Sequence, residues 1–492
     1  MYDITIVGAG ICGLNLCHLL LKKGYKNILL LEKSNKVGGL IQSKYVKFND
    51  KTNKTNKTNK TNKTNKKSGG KGKFNTNKGL FNRTQKNINN SYKSTLGGSK
   101  NNKVKYESGA AVVFDYQTNM KNLIKEFNID VIEIPLDDKG RNDKQYWDGS
   151  KKVHPLGKST TEKFLKLIKQ VFAYMDKMGD NHCRKFTFEQ ICLQVLTYDE
   201  TRFLEFCYGY SSEFRIANAV VAKKNMNNEL FNTDKMFLFK KGYSTLIKGI
   251  FDSISNNNNA TIKKNMCLNS FKPIDGKPVH GKPIDGKPVH GKSFNLSLYN
   301  SKAKSSENII TKKLVLAIPR EALLKMCTSF TNEEMVLFNT VEPSSLSRVF
   351  AKYDMNKKEN EWMKMLKYST VNNPIRQIIP TKKNIGLFQI SYSDWQSADL
   401  WGTLSKDDCK KQLKKLLKQI FHDKKIDDPK WFDKIYWPNA IHFWKPNINE
   451  KDIHKKITHL RPNLFIGGES FSLNQAWSEG AVQTSIEISK LL

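Results

Sequence analysis

No run of about 18 apolar residues occurs in the 492-residue chain, so the sequence offers no membrane-spanning helix. Cysteine is sparse and scattered. Cys12, Cys17, Cys183, Cys192, Cys207, Cys267, Cys327 and Cys409 form no CxxC pair, which argues against a disulfide framework and for a reducing compartment. No leader precedes the first strand pattern, and the terminal Lys-Leu-Leu is not the peroxisomal Ser-Lys-Leu. Acidic residues are few: 46 Asp and Glu stand against 83 Lys and Arg, a net charge of +37. Hydrophobic residues make up only 38%, where globular chains carry about 45–50% apolar residues with glycine counted.

Much of that deficit is local. From Lys44 to Lys105 there are about 18 basic residues and one Asp, in a sequence built largely from Lys, Asn, Thr, Gly and Ser and opening with KTN repeats from Lys51. So little apolar surface cannot offset the entropy of ordering, which predicts a disordered basic insert over 47–103. A basic field of this size favours polyanions, so weak polyanion contact through the insert is an expectation. No stacking aromatics, helix-turn-helix signal or zinc spacing accompanies the charge. The second low-complexity piece is KPIDGKPVHG, repeated in tandem from Lys272 to Gly291. It reads as an expanded hairpin loop between CLNSF and FNLSLYN, with His280 and His290 as loop residues rather than metal ligands.

The remainder reads as an ordinary two-domain protein. The run Ile4-Thr5-Ile6-Val7 predicts a strand leading into Gly8-Ala9-Gly10-Ile11-Cys12-Gly13, then an amphipathic helix and a second strand, ILLLE. Gly8 permits the tight turn, Gly10 lets a pyrophosphate approach the backbone, and Gly13 lets helix and strand pack closely. The helix start offers free N–H groups and the positive end of a dipole. Glu32, some 22 residues beyond Gly10, ends the second strand where an acid accepts hydrogen bonds from a ribose. A further doublet, Gly38-Gly39, lets the backbone run beside a longer and bulkier cofactor than nicotinamide alone needs.

With these motifs the chain resembles the FAD-dependent, flavin-containing amine oxidase superfamily, which includes monoamine and polyamine oxidases and, more distantly, protoporphyrinogen oxidase. Where that family flanks the glycine doublet with Arg, this chain has Lys36 and Leu40. The resemblance recurs in order: at Glu107 and Gly109 in YESGAAVVFD, at Gly242, Ser244 and Leu246, and at Leu268, whose main chain would touch the adenine. LVLAIPREALLKM resembles the family's strand-proline-helix crossover. The closing stretch carries the strongest match. Gly467, Gly468 and Glu469 correspond to the ribityl and phosphate side, and Trp477-Ser478-Glu479-Gly480-Ala481-Val482 to the helix start that faces the flavin. The resemblance implies FAD, held non-covalently because no cysteine follows Cys409 in the segment that tethers flavin in monoamine oxidases. It also implies that both chain ends build one domain.

The implied fold class is α/β, a Rossmann-like FAD-binding domain with an α+β substrate domain. The expected segments are FAD-binding at 1–46, 104–117, 233–319 and 453–492, with substrate-domain segments at 118–232, mostly helical, and 320–452. The resemblance implies oxidation of a C–N bond, with oxygen as acceptor and hydrogen peroxide as product. Trp477 and Trp444, with His442 next, would wall an aromatic cage. Arg348 stands where many relatives place a Lys that holds a water near the flavin, and Arg is not a simple replacement. Arg376, Gln389 and Trp395 are pocket candidates. Three alternatives stand beside this: a protoporphyrinogen-oxidase-like or desaturase-like flavoenzyme, a weakly catalytic flavoprotein whose basic insert binds polyanions, and a nicotinamide dehydrogenase. The Asn/Lys bias suits an AT-rich genome such as a protist's or a large DNA virus's, so a cytoplasmic protein, with a virion as the other possibility, is expected.

Overall fold

The computed structural model describes residues 1–48, 103–136, 144–148, 158–274, 293–422 and 424–492. Apart from 47, 48 and 103, the expected insert over 47–103 lies outside the described residues, as does most of the tandem repeat, His280 and His290 included. Two units emerge: residues 1–43 with 107–492, and residues 44–106. In the described part of the second unit, strands Ser43–Lys47 and Lys103–Glu107 pair as a two-stranded ladder.

The first unit contains two large sheets. One is built on parallel strands, Tyr2–Val7, Ile28–Glu32, the C-terminal half of Ser305–Leu316 and Leu464–Ile466, whose apolar runs are buried, with Ala260–Lys264 as a partly exposed edge strand. ILLL, 28–31, is wholly buried, as expected of a strand covered on both faces. Register sets the strand ends level: Val7 lies opposite Leu31 and Leu316, Leu316 opposite Ile466, and Glu32 opposite Lys264. The loops that follow therefore emerge along one edge, the carboxyl edge where open α/β sheets bind ligands. Helices Ile11–Lys22 and Ser478–Leu491, from opposite ends of the chain, pack together. Asn15 Nδ2 donates to Ser485 Oγ at 2.8 Å, and Cys12 Sγ lies 3.6 Å from Thr484 Oγ1.

The expected hairpin is present: Met266–Ile274 pairs antiparallel with Ser293–Asn300, with a bulge between Leu268 and Ser270.

The second sheet has six strands, in the order Trp431–Trp444, Val341–Lys352, Leu387–Asp394, Gln377–Lys382, Ser369–Val371, Gln145–Trp147. Helices Trp395–Thr403 and Lys406–Ile420 bury Trp401, Cys409, Leu413 and Leu417 in the apolar cluster that contains Val349 and Ile390 of this sheet. A helical layer spans 158–230, its starts fixed locally by capping boxes at Thr187/Gln190 and Thr197/Glu200.

The segment 118–232 is less purely helical than its periodicity predicts. Val131–Pro135 pairs with Lys235–Phe239, and Gln145–Trp147 adds a parallel edge strand beside Ser369–Val371. Both are short, and their partners lie about 100 or more residues away, beyond the reach of any local window. Among the described residues no helix is long and apolar enough to cross a membrane.

Candidate active site

The glycine loops meet along the carboxyl edge of the parallel sheet. Gly8 N donates to Leu31 O, Ala317 N to Val7 O and Gly467 N to Leu316 O, so three strand-to-loop junctions stay in register one residue past the strands. Gly8 has a φ of +102°, and a Cβ there would sit 2.3 Å from Ala317 O. A Cβ on Gly13 would come within 1.9 Å of Gly8 O, which is the close helix–strand approach expected of it. Gly10 differs: a Cβ there meets nothing within 4 Å. Gly10 also begins the helix with no side-chain cap, so the first-turn N–H groups face open space.

The doublet lies against this loop. Gly38 N donates to Ala9 O at 2.8 Å, and a Cβ on Gly39 would be 3.4 Å from Gly10 Cα. Glu32 turns one carboxylate oxygen to Ala9 N (3.0 Å) and the other to Ser34 N (2.9 Å), bracing the loop at the end of its strand. Leu268 lies near the start of the hairpin strand Met266–Ile274, just beyond Lys264, the residue opposite Glu32, and its side chain is buried with Leu29 and Leu31. Glu107 joins the motif segments: its carboxylate accepts from Ser43 Oγ and Tyr243 N, while Ser43 Oγ accepts from Ser244 N.

At the far end of the edge, Gly468 has a φ of +127° and its N–H donates to Thr484 Oγ1 at 2.9 Å. The helix beginning at Ser478 has no side-chain cap either. Glu479, buried, points away from the edge and caps the helix Thr118–Glu126, accepting from Asn119 N, Asn119 Nδ2 and Met120 N. Ala481 lies in the first turn and is buried. Glu469 accepts from Ala476 N, His442 N and the His442 ring, so its carboxylate serves the protein and only the main chain of this segment is turned to other use.

The aromatic positions separate. Trp477 is half-buried. It meets Phe114 edge to face at 5.1 Å, Phe114 stacks on Tyr116 at 5.8 Å, and the Trp477 indole N–H is buried without a partner. Trp444 is 1% exposed, donates to Ser472 O at 3.0 Å and packs on Phe471. The structure thus corrects its placement as a cage wall, since it belongs to the core. His442 is corrected too, because both ring nitrogens are engaged: Nδ1 with Glu469 at 2.9 Å and Nε2 with Glu321 at 3.0 Å. Burial by itself would lower its pKa, but the two carboxylates outweigh that and raise it to about 9. The tryptophan of this strand that does reach the glycine loops is Trp437, whose indole donates to Ser108 O at 2.7 Å. Ser108 in turn is bonded to Gln42 O, and Ala110 N to Leu40 O, just past the doublet.

Beyond Phe114 lies a polar interior that sequence patterning did not single out. Glu213 and Glu229 are buried close enough to feel each other, and Tyr208 OH donates to Glu229. Burial raises both carboxyls, Glu229 to about 7 and Glu213 well above its ordinary value. Burial, followed by the field of Glu229, also raises the Tyr116 hydroxyl, which has no hydrogen-bond partner. These residues are on different elements, and only a helix-length view of polar residues on an apolar face could have flagged them.

Arg348 is buried on the strand Val341–Lys352, its guanidinium 4.6 Å from the centre of the Tyr392 ring and bonded to Gln389 Oε1. Arg376 reaches Glu205 O at 2.9 Å, and Trp395 packs with the helical layer. No group of three or more metal-ligating side chains occurs among the described residues.

Residues 6–56 match the NAD(P)-binding Rossmann-like domain family. Curated protein sequences give no match. Among solved structures the chain is similar to cyclohexylamine oxidase from Brevibacterium oxydans IH-35A, with a TM-score of 0.66 at 11% identity, covering 100% of this chain and 98% of that one. The chain shares the fold of that structure along its full length. The resemblance drawn from the two terminal motifs and the full-length structural match agree.

Proposed function

We propose that the protein is an FAD-dependent amine oxidase that binds its flavin non-covalently. The observation that carries this reading is the pair of uncapped helix starts, at Gly10 and Trp477, brought by one parallel sheet to a single edge beside an aromatic wall. The residues suit the cofactor. Gly10 and Gly39 leave room where a pyrophosphate would lie, and the helix Ile11–Lys22 directs its dipole there. Glu32 is placed for a ribose, and the orphaned Trp477 N–H is a donor that lacks an acceptor. Bound there, FAD would supply the two-electron acceptor for oxidising a substrate C–N bond to an imine, with oxygen as the final acceptor giving hydrogen peroxide.

The chain's own part is to bind, orient and exclude water. Trp477 and Phe114 form an apolar wall at the helix start. The first turn of Ser478–Leu491 presents N–H groups that favour negative charge on an adjacent ring. Burial raises Glu213 and Glu229, so this interior offers hydrogen-bonding carboxyls and is less negative than two ordinary carboxylates would make it. Non-covalent binding agrees with the cysteines. Cys409 is buried behind the six-stranded sheet, and burial raises its thiol to about 11; Cys12 and Cys17 are raised by burial to about 12.

The test is the visible spectrum of the purified protein before and after denaturation and filtration, followed by peroxide detection with a panel of amines. Flavin that passes the filter and an amine that yields peroxide support the reading. A colourless protein that takes up no added FAD would overturn it. Trp477→Ala should keep stoichiometric flavin, because the main-chain N–H groups of the helix start remain, and lower turnover by roughly 10- to 100-fold through loss of the apolar wall.

A further inference from the structure

Arginine keeps its proton in proteins, so a buried guanidinium without a counter-charge is costly. Half-buried Arg184 has a carboxylate and buried Arg376 a helix carbonyl end. Arg184 is bonded twice to Glu450, and Arg376 donates to Glu205 O in the last turn of Tyr198–Tyr208, at the negative end of that helix. Arg348 is 8% exposed, and among the described residues no carboxylate lies within ion-pair distance of it. It has the Tyr392 ring face and one bond to Gln389 Oε1, at 3.3 Å. That bond fixes the amide of Gln389, itself 4% exposed, and leaves its Nε2 buried with no acceptor. Two sets of donors thus lie side by side, with no anion paired to them among the described residues.

The sheet sets Arg348 on the same face as Trp437. Arg348 lies opposite Tyr392 on one neighbouring strand and Ile435 on the other, and Trp437 lies opposite Leu346, two residues away on the same face. Trp437 is the side chain that donates to Ser108 O beside the doublet segment. Tyr210, edge to face with Tyr392 at 5.7 Å, closes the side towards the helical layer.

We infer that Arg348 and Gln389 form an oxyanion subsite, and that the amine oxidised by this protein also carries a carboxylate or equivalent oxyanion. The inference rests on the amine oxidase reading for the substrate class but not for the subsite. A guanidinium fork and an amide N–H suit the two oxygens of a carboxylate, while the Tyr392 ring holds the guanidinium plane.

The experiment uses the flavin-loaded protein and benzoate, a carboxylate with no oxidisable C–N bond, by isothermal titration. Benzoate should bind, Arg348→Gln should weaken it at least about 30-fold, Arg348→Lys less, and Gln389→Ala several-fold, with flavin content unchanged. Inorganic phosphate run in parallel separates a carboxylate site from a phosphate site. In the unmodified protein, amino acids should bleach the flavin anaerobically with a higher kcat/KM than their decarboxylated counterparts, L-leucine against 3-methylbutylamine being one such pair. Benzoate affinity untouched by Arg348→Gln in a folded, flavin-replete variant overturns the subsite. If Arg348→Gln does not fold, Arg348→Lys and Gln389→Ala carry the same test. Bleaching by amines without benzoate binding sinks this inference and leaves the oxidase reading standing. Arg348-dependent benzoate binding without bleaching by any amine does the reverse.

Discussion

Three glycines of one loop do three different jobs at the residue scale, and the structure separates their costs. A side chain on Gly10 enters open space, whereas one on Gly13 collides with the Gly8 carbonyl. Gly10→Val should therefore leave the cofactor-free protein folded with little change in melting temperature and abolish FAD uptake, measured by flavin absorbance after gel filtration. Gly13→Ala should lower stability even without cofactor, by about 3 kcal/mol or more, because backbone rather than a movable side chain stands in the way. The sequence motif assigns the two different roles, and the structure adds what a side chain at each would cost. A non-glycine outlier adds to this picture: Ala476, with φ +68°, precedes Trp477 and is pinned by its N–H to Glu469. Left-handed backbone at a non-glycine residue stores strain, and it sits where the Trp477 ring is set.

At the scale of the element, Glu479 shows how a motif residue can serve a neighbouring helix. Its carboxylate takes the first N–H groups of Thr118–Glu126, which has no cap of its own. Glu479→Ala should cost about 2 kcal/mol, as loss of a buried N-terminal carboxylate does, read from chemical denaturation of the cofactor-free protein. The strands and helices of the dinucleotide half were legible because their signals are local: a four-residue apolar run, a glycine turn, a helix period. The hairpin around the tandem repeat was legible for the same reason. The edge strands Val131–Pro135 and Gln145–Trp147 were not, because a short strand is stabilised by a partner the local sequence does not name.

Across the whole molecule, His442 ties the long strand Trp431–Trp444 of one sheet to Glu469 and Glu321 beside the other. Its folded pKa, raised to about 9 from an ordinary 6.5, means this stabilisation is complete below pH 6.5 and is lost as the pH rises through 9. The shift corresponds to about 3 kcal/mol. Glu229 acts in the same direction over a lower window. Held at about 7 against an ordinary 4.5, it makes the folded state lose stability as pH rises from 4.5 through 7. The melting temperature should therefore fall steadily between pH 5 and 9.5, His442→Gln should flatten the upper part of that fall, and Glu229→Gln the lower part. A melting temperature that climbs over this range would contradict both assignments.

The sequence by itself determined the dinucleotide fingerprint, its partner at the other end of the chain and the sheet that joins them, because close packing and tight turns restrict which residues can stand there. Only the tertiary structure decided that Trp444 and His442 belong to the core and a charged clamp while Trp477 and Trp437 reach the loops. It alone showed that Glu213 and Glu229 lie near each other in one interior, and that Arg348 has no counter-charge among the described residues. Those facts depend on which side chains meet across hundreds of residues. Burial and charge pairing are properties of such meetings, and residue type carries no record of them.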